Sequence, residues 1–216
     1  MQETTLQPNQ LIVPGEYELG NETALRIYFD VCDKGFSRIL PPVVIVRSDL
    51  ISRETRRKKL RQRFNRFDRR GTPYLPSWEN IDDSRGLYGR LEPIVNILQQ
   101  EVNLLEGKIS QSPYYLIDGN HRTAAETLTY SPIYALELET SKDLAEIRRM
   151  AKRGNLPPFR REETSIRKLV HSCENYILDH IDDMRTVEER VKELVSNRDL
   201  PKYMIDRYLR HVIEAT

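Results

Sequence analysis

The stretch "YYLIDGNHRTAAETL", residues 114–128, decides the fold because its pattern changes in the middle. An apolar run predicts a buried strand, which ends at Asp118-Gly119. The small residues that follow Asn120 predict a helix that continues to about Thr129. A glycine between a strand and a helix lets the backbone approach a ligand closely. The stretch therefore predicts a strand–turn–helix unit.

The residues after the strand also predict an anion site, in which a phosphate is the usual occupant. The first turn of a helix has N–H groups without internal partners and carries the positive end of the helix dipole. Arg122 adds a two-pronged donor, and His121 adds a tunable one. Asp118 is placed to orient His121, to hold magnesium or to polarise a hydroxyl. We predict phosphate binding by the residues of the turn: Gly119, Asn120, His121, Arg122 and Thr123. The alternative is an ordinary Asp-Gly turn with solvated side chains.

The segments on either side of this stretch predict further strands and one helix. Residues 41–46, "PPVVIV", indicate a short strand that is buried on both faces. Residues 133–139, "IYALELE", alternate as a strand does. Asn21 is expected to cap a helix that ends at Gly35. The order of elements is strand, helix, strand, insertion, strand, helix, strand and then helices, which predicts an α+β fold.

The C-terminal region, residues 156–216, is predicted to be a helical appendix. Thr164 is expected to cap its first helix, and Thr186 with Glu189 forms a capping box for the next. Pro201 marks the start of the last helix. The spacing of these helices does not fit a compact helix-turn-helix motif. We expect the region to serve packing or the formation of a homodimer.

The motif "LIDGNHRTAA", with "PPVVIVR" before it and "IYALELE" after it, resembles the ParB/sulfiredoxin superfamily. Members include the N-terminal domains of ParB segregation proteins, sulfiredoxins and ADP-dependent free-serine kinases. The resemblance covers a domain at about residues 1–155, with an insertion at 51–110. It implies a small mixed sheet with helices that binds a nucleotide, with the phosphates on the helix that begins at Asn120.

This sequence differs from the relatives at several motif residues, and these differences limit which functions the resemblance implies. Sulfiredoxins have their catalytic cysteine at the position of Asn120, so sulfinic acid repair is not expected. The Asn-His-Arg trio is closer to the His-His-Arg of the serine kinases than to the Glu-Arg-Arg of ParB proteins. The resemblance therefore favours ATP or ADP, with Mg²⁺, over CTP. Those kinases use an N-terminal acid as base, which makes Glu16, Glu18 and Glu22 candidates. Glu16 joins Asp118 and His121 as a candidate catalytic residue.

Residues 47–70 contain eleven basic and three acidic residues, a local net charge of +8. Leu60, Phe64 and Phe67 form one narrow apolar seam on a predicted helix from Ser52 to about residue 70. Such a helix is expected to bind the DNA or RNA backbone by releasing counterions. A solvated basic helix and an anionic membrane are the alternatives. The predicted contacts are Arg53, Arg56, Arg57, Lys58, Lys59, Arg61, Arg63, Arg66, Arg69 and Arg70.

The composition limits the classes of protein to which this chain is expected to belong. The chain has 216 residues, of which 31% are charged, and a net charge of only +1. Cys32 and Cys173 are its only cysteines, too few for a disulfide framework or a zinc cluster. No metal site, secretion signal or membrane span is expected from the sequence. The sequence therefore predicts a cytoplasmic protein.

These features predict a ParB-like nucleotide-binding protein that associates with nucleic acid through the basic helix. Catalysis is left open, including nucleotide hydrolysis and nuclease-like activity. One alternative is an ATP- or ADP-dependent kinase that acts on a small hydroxyl compound such as free serine. The other is a non-catalytic scaffold with the same fold.

Overall fold

The computed structural model describes residues 1–52, 55–56, 96, 100 and 102–214. The chain divides into two compact units, one of Met1–Leu50 with Ile109–Thr216 and the other of Ile51–Lys108. The predicted basic helix lies outside the described residues, except for residues 52 and 55–56. Residues 102–111 are helical, and the helix continues through Gly107. An isolated glycine costs a helix only about 1 kcal/mol.

The first unit contains a mixed five-stranded sheet, which confirms the α+β class. The strand order is β1-β5-β3-β4-β2. β1 is antiparallel to β5, β5 is parallel to β3, β3 is antiparallel to β4, and β4 is parallel to β2. The strands are β1 (Gln2–Leu6), β2 (Leu11–Ile12), β3 (Val43–Arg47), β4 (Tyr114–Asp118) and β5 (Ile133–Leu138).

The central strands are buried on both faces, as was predicted for "PPVVIV". Val43 to Val46 are all buried, and only Arg47 of β3 is exposed. In β5 every residue except Tyr134 is buried. The alternation of apolar and polar residues in β5 therefore does not mark a face that is exposed to solvent, because even Glu137 is buried, with an exposed fraction of only 6%. Helices pack on both faces of the sheet, which explains this burial.

Capping residues fix where several helices begin. The side chain of Asn21 accepts a hydrogen bond from the N–H of Ala24 at 3.0 Å, and Thr186 forms its capping box with Glu189, as predicted. The first C-terminal helix is capped by Ser165 and not by the neighbouring Thr164. Besides residues 102–111, the α-helices of the described part of the chain are α1 (Glu22–Asp33), α2 (Asn120–Leu128), α3 (Ser141–Lys152), α4 (Ile166–Asp179), α5 (Val187–Asn197) and α6 (Lys202–Glu214).

The last two helices are part of the main hydrophobic core. α2 contacts α1, α5 and α6. Val191 and Met204 are fully buried in the same cluster as Val43 and Ile45 of the sheet. α3 contacts β5 and α4 contacts β3. The C-terminal region therefore belongs to the unit that contains the sheet, and it is not an appendix that begins at residue 156.

Candidate functional site

Gly119 joins β4 to α2 in a conformation that only glycine adopts readily. Its φ is +119° and its ψ is 29°. A Cβ at this position would lie 2.7 Å from Cγ1 of Val43 and 2.9 Å from its Cβ. Because glycine has no side chain, it cannot accept a hydrogen bond from the first turn of α2. The backbone N–H groups at the start of α2 therefore depend on other acceptors.

Arg122 lies under the turn and is only 3% exposed. Its guanidinium donates to the carbonyl oxygen of Pro41 at 2.8 Å and to that of Pro42. It also pairs with the carboxylate of Asp118 at 2.5 Å. These contacts tie the segment before β3 to the end of β4. The structure thus corrects the expected role of Arg122: its guanidinium binds groups of the protein itself and is not presented to a phosphate.

Two side chains of α2 attach the turn to the segment that precedes α1. Nδ2 of Asn120 donates to the carbonyl oxygen of Glu16 at 3.3 Å. The hydroxyls of Thr123 and Tyr17 are 2.8 Å apart. Thr123 is fully buried, so its side chain is a packing residue and does not reach a phosphate as expected. Glu16, predicted as a base, is brought to the turn, where its side chain is exposed.

His121 also contacts this segment. Its Nε2 accepts a hydrogen bond from the N–H of Asn21 at 3.3 Å. Burial, followed by the nearby charge of Arg122, holds the pKa of His121 below its usual value. Asp118 and the backbone of Leu19 act in the opposite direction. A neutral imidazole is the form that accepts this hydrogen bond, so at neutral pH His121 is an acceptor and not a cation.

The groups left for an anion are the backbone N–H groups of the first turn of α2. Asn120 and His121 are partly exposed above them. Asp118 keeps 32% of its side chain exposed while it pairs with Arg122. Among the described residues, no three His, Cys, Asp or Glu side chains converge to hold a metal ion. Magnesium bound to phosphates needs only one or two carboxylates, and Asp118 is the carboxylate within the turn.

Glu126 is a buried acid that the sequence analysis did not identify. It is 2% exposed, and its Oε2 has no hydrogen-bond partner among the described residues. Burial raises the pKa of Glu126 to about 8, although Arg122 and the backbone of Tyr134 act in the opposite direction. Burial and the charge of Glu126 raise the pKa of Cys32 to about 12. The sequence feature that could have indicated a buried acid is the position of this glutamate among small and apolar residues, four positions after Arg122.

Of the ten basic residues predicted to contact nucleic acid, the structure describes only Arg56. Arg56 is 6% exposed, so it is not the solvent-facing contact that was expected. The other nine lie outside the described residues. Within the described part of the chain, no helix has the length and apolar character needed to cross a membrane.

Replacement of Gly119 by alanine is expected to lower the free energy of unfolding by roughly 2–5 kcal/mol, through the positive φ and the overlap with Val43. Gly15→Ala is the matched control, because no described atom lies within 4 Å of its Cβ position. We expect a change within about 1 kcal/mol for this control. Urea denaturation of both variants is the measurement. Equal stability of the two would show that Gly119 is not constrained.

The raised pKa of Glu126 predicts a pH-dependent stability. Between about pH 4.5 and pH 8 the unfolded chain has lost this proton while the folded chain retains it, so stability falls as the pH rises. Glu126→Gln is expected to stabilise the protein at pH 8 by on the order of 3–5 kcal/mol and by much less at pH 4.5. The control is Glu188→Gln, on the surface beside Lys192. Denaturation curves at several pH values test this, and the same gain at every pH would contradict it.

Comparison with known proteins found no matching family model, no matching curated protein and no matching solved structure. The resemblance to the ParB/sulfiredoxin superfamily therefore stays a prediction from residues 41–47, 116–125 and 133–139. The chemistry proposed below depends on the geometry of the turn and on that resemblance.

Proposed function

We propose that the protein binds the phosphates of a nucleotide at the turn between β4 and α2. The observation that carries this proposal is the start of α2 directly behind Gly119, at the end of a buried strand. No side chain of the capping residue competes for the first N–H groups, and the helix dipole places positive potential there. Asn120 and His121 border the same position and remain partly exposed.

In this proposal the backbone of the turn provides the contacts to the anion, and the side chains hold that backbone in place. The N–H groups of Asn120, His121 and Arg122 donate to phosphate oxygens. Arg122 fixes the turn from below through Pro41 and Asp118. Bound magnesium would neutralise phosphate charge, with the exposed part of Asp118 beside it. The resemblance favours ATP or ADP over CTP. Association with DNA or RNA through residues 47–70 also remains a proposal, which rests on the charge of that segment.

The position of Glu16 favours a kinase as the second candidate function. Its backbone carbonyl accepts a hydrogen bond from Asn120 in the first turn of α2, and Glu16 is exposed to solvent. In the kinase proposal, the carboxylate of Glu16 accepts the proton of a substrate hydroxyl during phosphoryl transfer. Asp118 is the less suitable base, because its carboxylate already pairs with Arg122.

Nucleotide binding is tested with Asn120→Asp, which places a carboxylate in the first turn of α2. A carboxylate there favours the helix start and repels a phosphate, but it also loses the hydrogen bond that Asn120 donates to the carbonyl oxygen of Glu16, so a thermal melt checks that the variant folds. We expect nucleotide affinity to fall about tenfold or more, a cost of about 1.4 kcal/mol. The measurement is isothermal titration of ATP, ADP and CTP in the presence of magnesium.

Asn155→Asp makes the same change in charge at an exposed position beyond α3 and should leave affinity unchanged. Two results would contradict the proposal: no binding by the unmodified protein at millimolar nucleotide, or equal affinity of both variants. Mass spectrometry of the same mixtures with serine added decides between binding alone and kinase activity, because only a kinase yields phosphoserine.

A further inference from the structure

A cavity of about 480 Å³ lies at the opposite end of the sheet from Gly119. β3 runs from Val43, which packs against Gly119, to Arg47, which borders the cavity. The cavity is thus separate from the proposed phosphate site. It is lined by Gln2, Thr4, Arg47, Leu50, Tyr114, Glu137, Leu138 and Glu139.

The cavity forms where one face of the sheet changes from apolar to polar. Side chains two positions apart on a strand share a face, so Glu137 follows the core residues Ile133 and Ala135. Gln2 pairs with Glu137 across β1 and β5, and Arg47 pairs with Tyr114 across β3 and β4. Polar and charged side chains therefore replace the core at this end of the sheet.

Glu137 is the unusual group in this cavity. It is 6% exposed and lines the cavity, yet none of the described residues donates a hydrogen bond to its carboxylate. An ionised carboxylate that is removed from water without a partner costs several kcal/mol. The carboxylate of Glu137 meets the cavity instead of a protein donor, and a bound counter-ion would supply the missing contact.

The neighbouring cations are hydrogen-bonded to other carboxylates, although the charge of Arg47 still lowers the pKa of Glu137. The guanidinium of Arg47 donates to Asp49 twice, once at 2.9 Å from Nε. The N-terminal ammonium donates to Asp143 at 2.9 Å and lies 3.9 Å from Glu139. The excess of carboxylates gives the cavity a negative potential.

We propose that this cavity binds a small organic cation, an alkyl-ammonium or alkyl-guanidinium group, with Glu137 as its counter-ion. Tyr114 contributes an aromatic ring, a surface that attracts cations. Leu50 and Leu138 line the cavity and suit an alkyl chain. An organic cation fits better than a metal ion, since no metal-binding group of three ligands occurs among the described residues. Burial raises the pKa of Glu137, the charges of Glu139 and Asp49 act in the same direction, and those of Arg47 and the N-terminal ammonium act against it. A bound cation would therefore favour the ionised form.

The test uses n-butylammonium and n-butylguanidinium chlorides as probes and n-butanol as the neutral analogue. We expect both cations to bind with millimolar dissociation constants, measured by isothermal titration at constant ionic strength, and n-butanol not to bind. Glu137→Gln should weaken the binding of both cations about tenfold or more. Glu3→Gln is the matched control, because Glu3 is exposed and pairs with Leu136, on the other face of the sheet. It should bind as the unmodified protein does.

Thermal melts of the variants without probe show whether each variant folds. Glu137→Gln removes a buried charge that has no partner, so it should melt at or above the temperature of the unmodified protein. If Glu137→Gln does not fold, the melting temperature of the unmodified protein shows whether the cation binds. This melting temperature should rise with n-butylammonium chloride and not with the same concentration of potassium chloride. Equal binding by Glu137→Gln, equal binding of n-butanol, or no response of the unmodified protein would each overturn the proposal.

Discussion

The guanidinium of Arg122 joins parts of the chain that are far apart in sequence. It donates to the carbonyl oxygens of Pro41 and Pro42, which precede β3, and it pairs with Asp118 at the end of β4. At 3% exposure, these bonds form where water cannot easily replace them. The alignment of β3 beside β4, the close approach of Gly119 to Val43 and the start of α2 all depend on this one side chain.

This use of Arg122 changes how the turn performs its proposed chemistry. The charge of the arginine is balanced by Asp118, so in the proposed function the attraction for a phosphate comes mainly from the backbone at the start of α2. Asn120 and His121 are held by the segment that precedes α1 and remain partly exposed. The same packing buries Glu126, and the lack of a hydrogen-bond partner for its Oε2 among the described residues belongs to the cost of this arrangement. A turn that is fixed before a ligand arrives loses little entropy on binding.

Features with local signals were predictable from the sequence, and features that depend on distant packing were not. The strand at 114–118, the helix after Gly119 and the capping box of Thr186 follow from residues within a few positions of one another. The burial of Glu137 does not, because alternation cannot show that both faces of β5 are covered. The role of Arg122 was missed for the same reason: its spacing from Asp118 was visible, but the carbonyl groups eighty residues earlier were not.

The central claim is that Arg122 holds the turn and the sheet together, and one comparison of stability tests it most directly. Arg122→Gln leaves Asp118 and the partly buried carbonyl groups of Pro41 and Pro42 without their partner, so the free energy of unfolding should fall by about 3–5 kcal/mol. Arg149→Gln, which breaks a surface pair with Glu146, should change it by less than about 1 kcal/mol. Urea denaturation of both variants at neutral pH is the measurement. A loss for Arg122→Gln no larger than that for Arg149→Gln would contradict the claim.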